Sequence, residues 1–192
     1  MNKSTMWWII GLVVLAIIII FAAKSMNNGS SGLATSTDNN ATTTPTTAYV
    51  VPSENRSTET VFSVAESLSG SSQFAALLKS TGVDKSLGTT TYTVFVPTDI
   101  AWNKAPKASV SGLTAAQKKR LAEYHIIVGR SVDTDAMKFG TIQAMSNDAL
   151  NFSVVGNDKT PNVNSSSIVR QYKAKNGIVY VIDAVLLPPI KK

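Results

Sequence analysis

The pattern of side chains is clearest in the middle of the chain, where residues 91–96 read TYTVFV and alternate side chains fall on opposite faces. All six are β-branched or aromatic, the types that fit a pleated surface, so the pattern predicts a strand. Pro97 donates no backbone hydrogen bond and is expected to end that strand. Thr98 suits the N-cap of a following helix, and Asp99 suits its first turn, where a carboxylate meets the positive helix end. The stretch therefore predicts a change of chain direction inside a fold.

Apolar residues at helical spacing predict three longer helices around this strand. The first is expected to follow Thr60, the second to begin at Ser71 and end at Gly82, and the third to run from Thr114 to about Tyr124.

Shorter elements complete the N-terminal part of the prediction. The helix after Thr98 is expected to turn Ile100 and Trp102 towards an apolar interior, residues 106–111 are expected to form a loop, and residues 133–137 a short helical turn.

The C-terminal third of the chain has the two-residue period of strands. The expected strands are residues 141–145, 150–155, 168–173 and 178–182. Asn176-Gly177 is the strongest short hairpin signal in the chain, since both residue types tolerate a positive φ. Helices lead and antiparallel strands follow, which predicts the α+β class.

The N-terminus carries an uninterrupted apolar run, residues 6–23, between Lys3 and Lys24. As a helix these eighteen residues would span about 27 Å, enough for the hydrocarbon core of a bilayer. We interpret residues 1–24 as an uncleaved signal anchor with the N-terminus in the cytoplasm and the rest outside. The alternative is a cleaved signal peptide, which would leave the protein secreted, although no Ala-x-Ala site follows the run.

Residues 25–56 are rich in serine, threonine, asparagine and glycine and have few apolar side chains. Such a segment buries too little surface to offset its chain entropy, so a disordered linker is predicted there. The folded domain is expected to span residues 57–190.

Composition narrows the chemistry that the chain can perform. There is no cysteine, and His125 is the only histidine, which excludes disulfides, thiol catalysis and a multi-histidine metal site. The net charge of +6 does not by itself indicate nucleic acid. We expect no cofactor, no metal and no enzymatic activity. His125 is interpreted as structural, bonded to a carboxylate or backbone group near Asp99 or Asp183, and Asp183 is expected to bond backbone amides of a neighbouring turn.

Three segments in order resemble the fasciclin-like domain family, which includes fasciclin, periostin and bacterial secreted relatives. They are TVFVPTD at 93–99, Tyr124-His125, and NGIVYVID at 176–183 followed by VLLPP at 185–189. The resemblance covers one copy and implies a β-sandwich or wedge with packed helices. The motif positions that it marks as structural or binding candidates are Phe95, Pro97, Thr98, Asp99, Tyr124, His125, Asn176, Gly177 and Asp183.

The resemblance also implies an extracellular binding or adhesion role. Gln171-Tyr172 stand where animal members have an Asp-Ile pair assigned to integrin binding, which argues against integrin recognition here. We therefore expect a membrane-tethered extracytoplasmic module that contacts a surface or matrix protein, a polysaccharide or a second copy. Lys173 and Lys175 share a strand face that suits an acidic polysaccharide, although an ordinary solvated strand edge has the same pattern. The alternative function is a carrier or sensor for a small apolar ligand.

Overall fold

The computed structural model describes residues 50–190 apart from 87, 88, 138, 139 and 158. Its helices are Val61–Ser67 (α1), Ser72–Thr81 (α2), Asp99–Lys104 (α3), Lys107–Val110 (α4) and Ala115–Tyr124 (α5), with 3₁₀ turns at Val83–Ser86 and Thr134–Met137. Its strands are Ser53–Arg56 (β1), Tyr92–Pro97 (β2), Ile126–Val128 (β3), Gly140–Gln143 (β4), Ala149–Val155 (β5), Thr160–Val163 (β6), Ser166–Ala174 (β7) and Gly177–Ile182 (β8).

The strands form one curled sheet in the order β3-β2-β8-β7-β6-β5-β4, with β1 beside β7. Strand β7 pairs with β6 through its first residues and with β1 through its last four. At the far end of the curl, the Met145 N–H, just after β4, donates to the Ile126 carbonyl of β3 at 2.7 Å. The two ends of the sheet therefore meet, and the predicted sandwich or wedge is better described as a near-barrel with helices on its outside.

Each face of β2 is covered by its own apolar cluster. Tyr92, Val94 and Val96 pack with the buried residues of α1, α2 and α5. Phe95 packs on the other face, where its ring lies 5.8 Å from that of Tyr180 between centroids. Successive side chains of β2 therefore lie on opposite faces, as predicted. All six residues of the strand are buried, because both faces are covered.

Most of the predicted helix ends are confirmed. The Thr60, Thr98 and Thr114 hydroxyls each accept a hydrogen bond from the backbone of the helix that follows. Gly82 ends α2 in the left-handed conformation, with a φ of 63°. Tyr124 ends α5, as expected.

Four details of the prediction are wrong. Ile100 is 68% exposed, because only Trp102 of the pair lies on the inward side of α3. Residues 106–111, predicted as loop, contain the single helical turn α4. The strand pairing is mixed, since β1 is parallel to β7 and β2 to β8. The β7–β8 loop consists of Lys175 and Asn176, one residue earlier than the predicted Asn176-Gly177.

The linker prediction is wrong for residues 53–56. They form β1 against β7, and Val51 just before them is buried in the core. Ser53, Glu54 and Asn55 are exposed, so the strand depends on backbone hydrogen bonds and gives no apolar sequence signal.

The predicted signal anchor at residues 6–23 and residues 25–49 of the predicted linker lie outside the described residues. Within the described part of the chain, no helix has the length and apolar character needed to cross a membrane.

Candidate functional site

Asp99 caps a helix other than its own. Its carboxylate accepts hydrogen bonds from the Ser72 N–H (3.1 Å), the Ser72 hydroxyl (2.9 Å) and the Gln73 N–H (2.9 Å), all at the start of α2. Its own N–H donates to the Gly70 carbonyl. Ser71, the N-cap residue of α2, makes no side-chain capping bond, so Asp99 supplies the acceptor that the helix start needs.

Replacing Asp99 with alanine is expected to lower the free energy of unfolding by about 1–2 kcal/mol, because two backbone donors lose their acceptor. Asp99→Asn should cost less, since one carbonyl oxygen remains. Chemical denaturation of both variants at neutral pH tests this. Equal stability of Asp99→Ala and the parent protein would contradict the capping role.

The same contacts make the cap sensitive to acid. Hydrogen bonding, first from the Gln73 N–H and then from Ser72, lowers the pKa of Asp99 against the opposing effect of burial. The capping energy is therefore complete above the unfolded-state value near 3.9 and is lost as the pH falls through the folded value.

Asn176 and Gly177 join the β7–β8 hairpin to two other elements. The Asn176 side-chain oxygen accepts from the Val61 N–H at the start of α1 (2.9 Å), and its backbone carbonyl accepts from the Tyr92 N–H of β2 (2.9 Å). Gly177 has a φ of 143° and lies directly against the Tyr92 backbone. These contacts connect the β7–β8 hairpin to α1 and β2.

Tyr124 and His125 connect the end of α5 to the C-terminal part of the domain. The Tyr124 hydroxyl donates to the Ala149 carbonyl (2.8 Å) and accepts from the Asn164 amide (3.0 Å). The buried His125 ring bonds the Leu121 carbonyl through Nδ1 (2.8 Å) and accepts the Leu186 N–H at Nε2 (3.1 Å). A carbonyl can only accept, so Nδ1 carries the proton and the ring is neutral.

The structural interpretation of His125 thus has a geometric basis, with backbone partners rather than a carboxylate. One partner, Leu186, lies three residues after Asp183. The Asp183 carboxylate accepts from the Ser167 N–H (2.7 Å) and the Ser166 hydroxyl (3.1 Å) at the start of β7, which matches the expected amide bonding.

The remaining motif residues are also internal. Phe95 and Pro97 are buried within β2, and Thr98 caps α3 through the Ala101 N–H at 3.1 Å. Gln171 and Tyr172, at the positions of the animal integrin pair, are only 5% and 7% exposed. The contacts of the motif residues therefore hold the elements of the domain together.

Two shallow depressions flank the chain segment 130–133 and meet at Ser131. One, of about 350 Å³, is lined by Arg130, Ser131, Val132, Gly140, Thr141, Ile142 and Phe152. The other, of about 370 Å³, is lined by Thr91, Ser131, Asp133, Lys173, Ala174, Lys175, Asn176, Gly177 and Ile178. We call the second the hairpin depression, because the β7–β8 hairpin forms one wall.

The hairpin depression brings the two predicted polyanion contacts together. Lys173, Lys175 and neighbouring Arg130 are exposed, and among the described residues none of the three takes part in an ion pair. Asp133 provides one opposing charge, and its carboxylate already accepts from the Thr134 N–H at 2.6 Å. The surface around Ser131 therefore carries an excess of positive charge.

Thr93 holds the chain segment that separates the two depressions. Its hydroxyl donates to the Arg130 carbonyl (3.0 Å) and accepts from the Val132 N–H (2.9 Å). A buried β2 side chain thus fixes the segment between the two depressions. Sequence reasoning missed Thr93 and Arg130, because nothing local marks a strand threonine as the support of a segment 37 residues later.

The sequence analysis also did not predict the ion pair between Arg120 and Asp148. Arg120 forms a bidentate pair with the largely buried Asp148, at 2.9 Å for each contact, and donates to the Pro189 carbonyl at 2.7 Å. These contacts join α5 to the C-terminal segment and stabilise the fold. Among the described residues, no group of three histidine, cysteine or acidic side chains is placed to hold a metal ion.

Comparison with known proteins identifies the family. The fasciclin domain model matches residues 69–188. The chain belongs to the fasciclin domain family. The resemblance drawn from the three motifs is confirmed, and the match includes all nine candidate motif residues, from Phe95 to Asp183.

Fasciclin-domain relatives occur in bacteria. Protein sll1483 of Synechocystis is 27% identical over 142 residues, covering 69% of this chain and 77% of that protein. The cell surface glycolipoprotein MPT83 of Mycobacterium tuberculosis is 34% identical over 101 residues, covering 51% of this chain but only 44% of that protein.

A solved structure shares the fold. The FAS1 domain pair of the insect cell adhesion molecule Fasciclin I superimposes with a TM-score of 0.52 and 20% sequence identity, covering 64% of this chain and 47% of that one. At this identity the likeness extends to the fold alone.

Proposed function

We propose that this fasciclin domain is an extracytoplasmic adhesion module that contacts an acidic matrix or surface polysaccharide through the hairpin depression. The observation that carries the proposal is the placement of Lys173 and Lys175 on one open depression, with Arg130 on the adjoining one. These cations lie free of intramolecular pairs within the described chain, whereas Arg120 is committed to Asp148. Unneutralised cations on an open surface favour an extended polyanion.

The double variant Lys173→Ala/Lys175→Ala is expected to bind immobilised heparin roughly tenfold more weakly at low salt, because two surface charges are lost. The matched control is Lys107→Ala/Lys118→Ala, which removes the same charge from exposed helix positions. Equal loss in both variants would show a non-specific charge effect and refute the hairpin depression as the contact. Unchanged melting temperatures in both would confirm that the fold is intact.

An array of glycans and matrix proteins, with self-association followed by sedimentation, tests the wider adhesion role. A saturable contact that survives moderate salt would support it and would name the partner class, including a second copy of the chain. The small-ligand alternative predicts an apolar molecule that co-purifies with the protein in native mass spectrometry. Both depressions are open to solvent, which favours a surface partner over an enclosed ligand.

We also propose that a single such domain is held outside the cell membrane by residues 6–23. The uncharged apolar run between Lys3 and Lys24 supports this. The full chain is expected to stay with the membrane after washing at high salt and alkaline pH, with the domain open to external protease. Release of the intact chain by the wash would refute the anchor.

A further inference from the structure

The N-terminal chain joins the described domain at one end of a strand pair and the hairpin depression lies beyond the other end. From Val50 the chain runs into β1, which is parallel to β7 with Ser53 opposite Gln171 and Arg56 opposite Ala174. Lys175 and the hairpin follow Ala174. Four strand residues rise by about 10 Å, so β1 leads from the N-terminal chain towards the proposed contact surface.

Hydrogen bonds hold this strand pair just beyond both of its ends. The Pro52 carbonyl accepts from the Gln171 N–H at 2.8 Å, and the Glu59 carbonyl accepts from the Lys175 N–H at 2.7 Å. Val51, only 8% exposed, anchors the start of β1 in the apolar core. The pairing of β1 with β7 is therefore supported by a further hydrogen bond beyond each end.

We propose that β1 and β7 form a shear clamp that resists force between the N-terminal chain and a partner bound at the hairpin. Such a force pulls β1 towards its N-terminus and β7 towards its C-terminus. In parallel strands these are opposite directions along the same axis, so the backbone hydrogen bonds of the ladder are stretched together. The inference rests on the proposed function only for the place where the external force enters.

The parallel direction of β1 and β7 determines how the strand pair responds to this force. If β1 were antiparallel to β7, the N-terminal chain would leave beside the hairpin, and the same force would open the ladder from that end, one bond at a time. The polar composition of β1 fits a clamp that depends on backbone bonds, since Ser53, Glu54 and Asn55 are exposed. A chain segment that only had to span a distance from the membrane would not need the pairing of β1 with β7.

Force spectroscopy on the full chain in detergent tests the clamp directly. The chain has no cysteine, so one introduced thiol gives a unique handle opposite an N-terminal tag. Lys175→Cys applies force in shear. Val169→Cys, at an exposed position two residues before Gln171, instead applies force across the start of β1 and peels that strand from β7.

The first rupture is expected at a force at least about twofold higher for Lys175→Cys, because several ladder bonds must break together before the chain opens. Equal rupture forces, or a higher force for Val169→Cys, would overturn the clamp. The two variants must first show the same melting temperature, which both exposed positions favour. This measurement uses no ligand, so a failed heparin experiment would refute the proposed contact and leave the clamp result standing.

Discussion

Gly177→Ala is expected to destabilise the domain by about 3–5 kcal/mol, from a backbone conformation reserved for glycine and from steric overlap. Gly177 has a φ of 143°, and an added Cβ would overlap the Tyr92 carbonyl oxygen and lie 2.8 Å from the carbonyl carbon. The obstacle is backbone in the central strand β2, which is paired on both sides. It cannot move aside as a flexible side chain could. Chemical denaturation, or loss of soluble protein on expression, measures the effect.

Gly82→Ala is the matched control. Gly82 also has a positive φ, 63°, but no atom lies within 4 Å of the position that a Cβ would take. Alanine there should cost only about 1–2 kcal/mol, the ordinary penalty of the left-handed conformation. Equal costs at the two positions would show that backbone conformation alone matters and that β2 and β8 can separate to admit a methyl group.

The hairpin shows what local sequence could and could not predict. Asn176-Gly177 located the reversal between β7 and β8 correctly, since that residue pair is typical of tight turns. The loop itself is Lys175-Asn176, and Gly177 pairs within β8. Its glycine is required by the close approach of Tyr92, a residue 85 positions earlier in the chain. No local pattern carries that information.

Strands β1 and β6 were missed for two different physical reasons. β1 has no apolar alternation, because it depends on the free edge of β7 rather than on a buried face. β6 contains Pro161, which argues against a strand, yet the short strand pairs with β5 on one side and β7 on the other. Elements with a strong period and good caps, such as α2 and α5, were predicted to within a residue or two.

The candidate site was predictable only in part. Lys173 and Lys175 could be found because they lie two apart in the sequence, although Lys173 is on β7 and Lys175 is in the loop that follows. The surface that they share is assembled from segments near residues 91, 131 and 177. Asp99 lies in the first turn of α3, as predicted, but its second role could not be predicted, for the same reason. Its position suited the first turn of α3, whereas its carboxylate caps α2, which begins 27 residues earlier. Both the hairpin depression and the Asp99 cap depend on contacts between residues that are far apart in the sequence.

His125 offers a pH-dependent test of the fold. Burial lowers the pKa of its imidazole from 6.5 to about 4, opposed by the hydrogen bond to the Leu121 carbonyl. The ring packs 5.1 Å from Phe74 between centroids, and its acceptor nitrogen is occupied by the Leu186 N–H. Protonation would replace that acceptor with a donor facing another donor, inside the core.

The stability of the domain is therefore expected to fall as the pH drops from 6.5 towards 4. In this window the unfolded chain binds a proton at His125 and the folded chain does not, so the free energy of unfolding rises with pH. The separation between the two pKa values corresponds to a loss of about 3 kcal/mol at the acid end. Urea denaturation at several pH values measures it.

His125 is the only histidine in the chain, so the effect can be assigned to one residue. His125→Gln cannot titrate, and its stability, although lower at neutral pH, should change little between pH 6.5 and 5. A parent protein whose stability is constant over that range would show that the imidazole is accessible to protons while folded. The cap at Asp99 loses its carboxylate charge only at lower pH, because hydrogen bonding lowers the pKa of Asp99 below its ordinary value. The two acid-sensitive contacts are thus separable by pH. Above pH 5, the change of the free energy of unfolding with pH reports on the junction between α5 and the C-terminal segment.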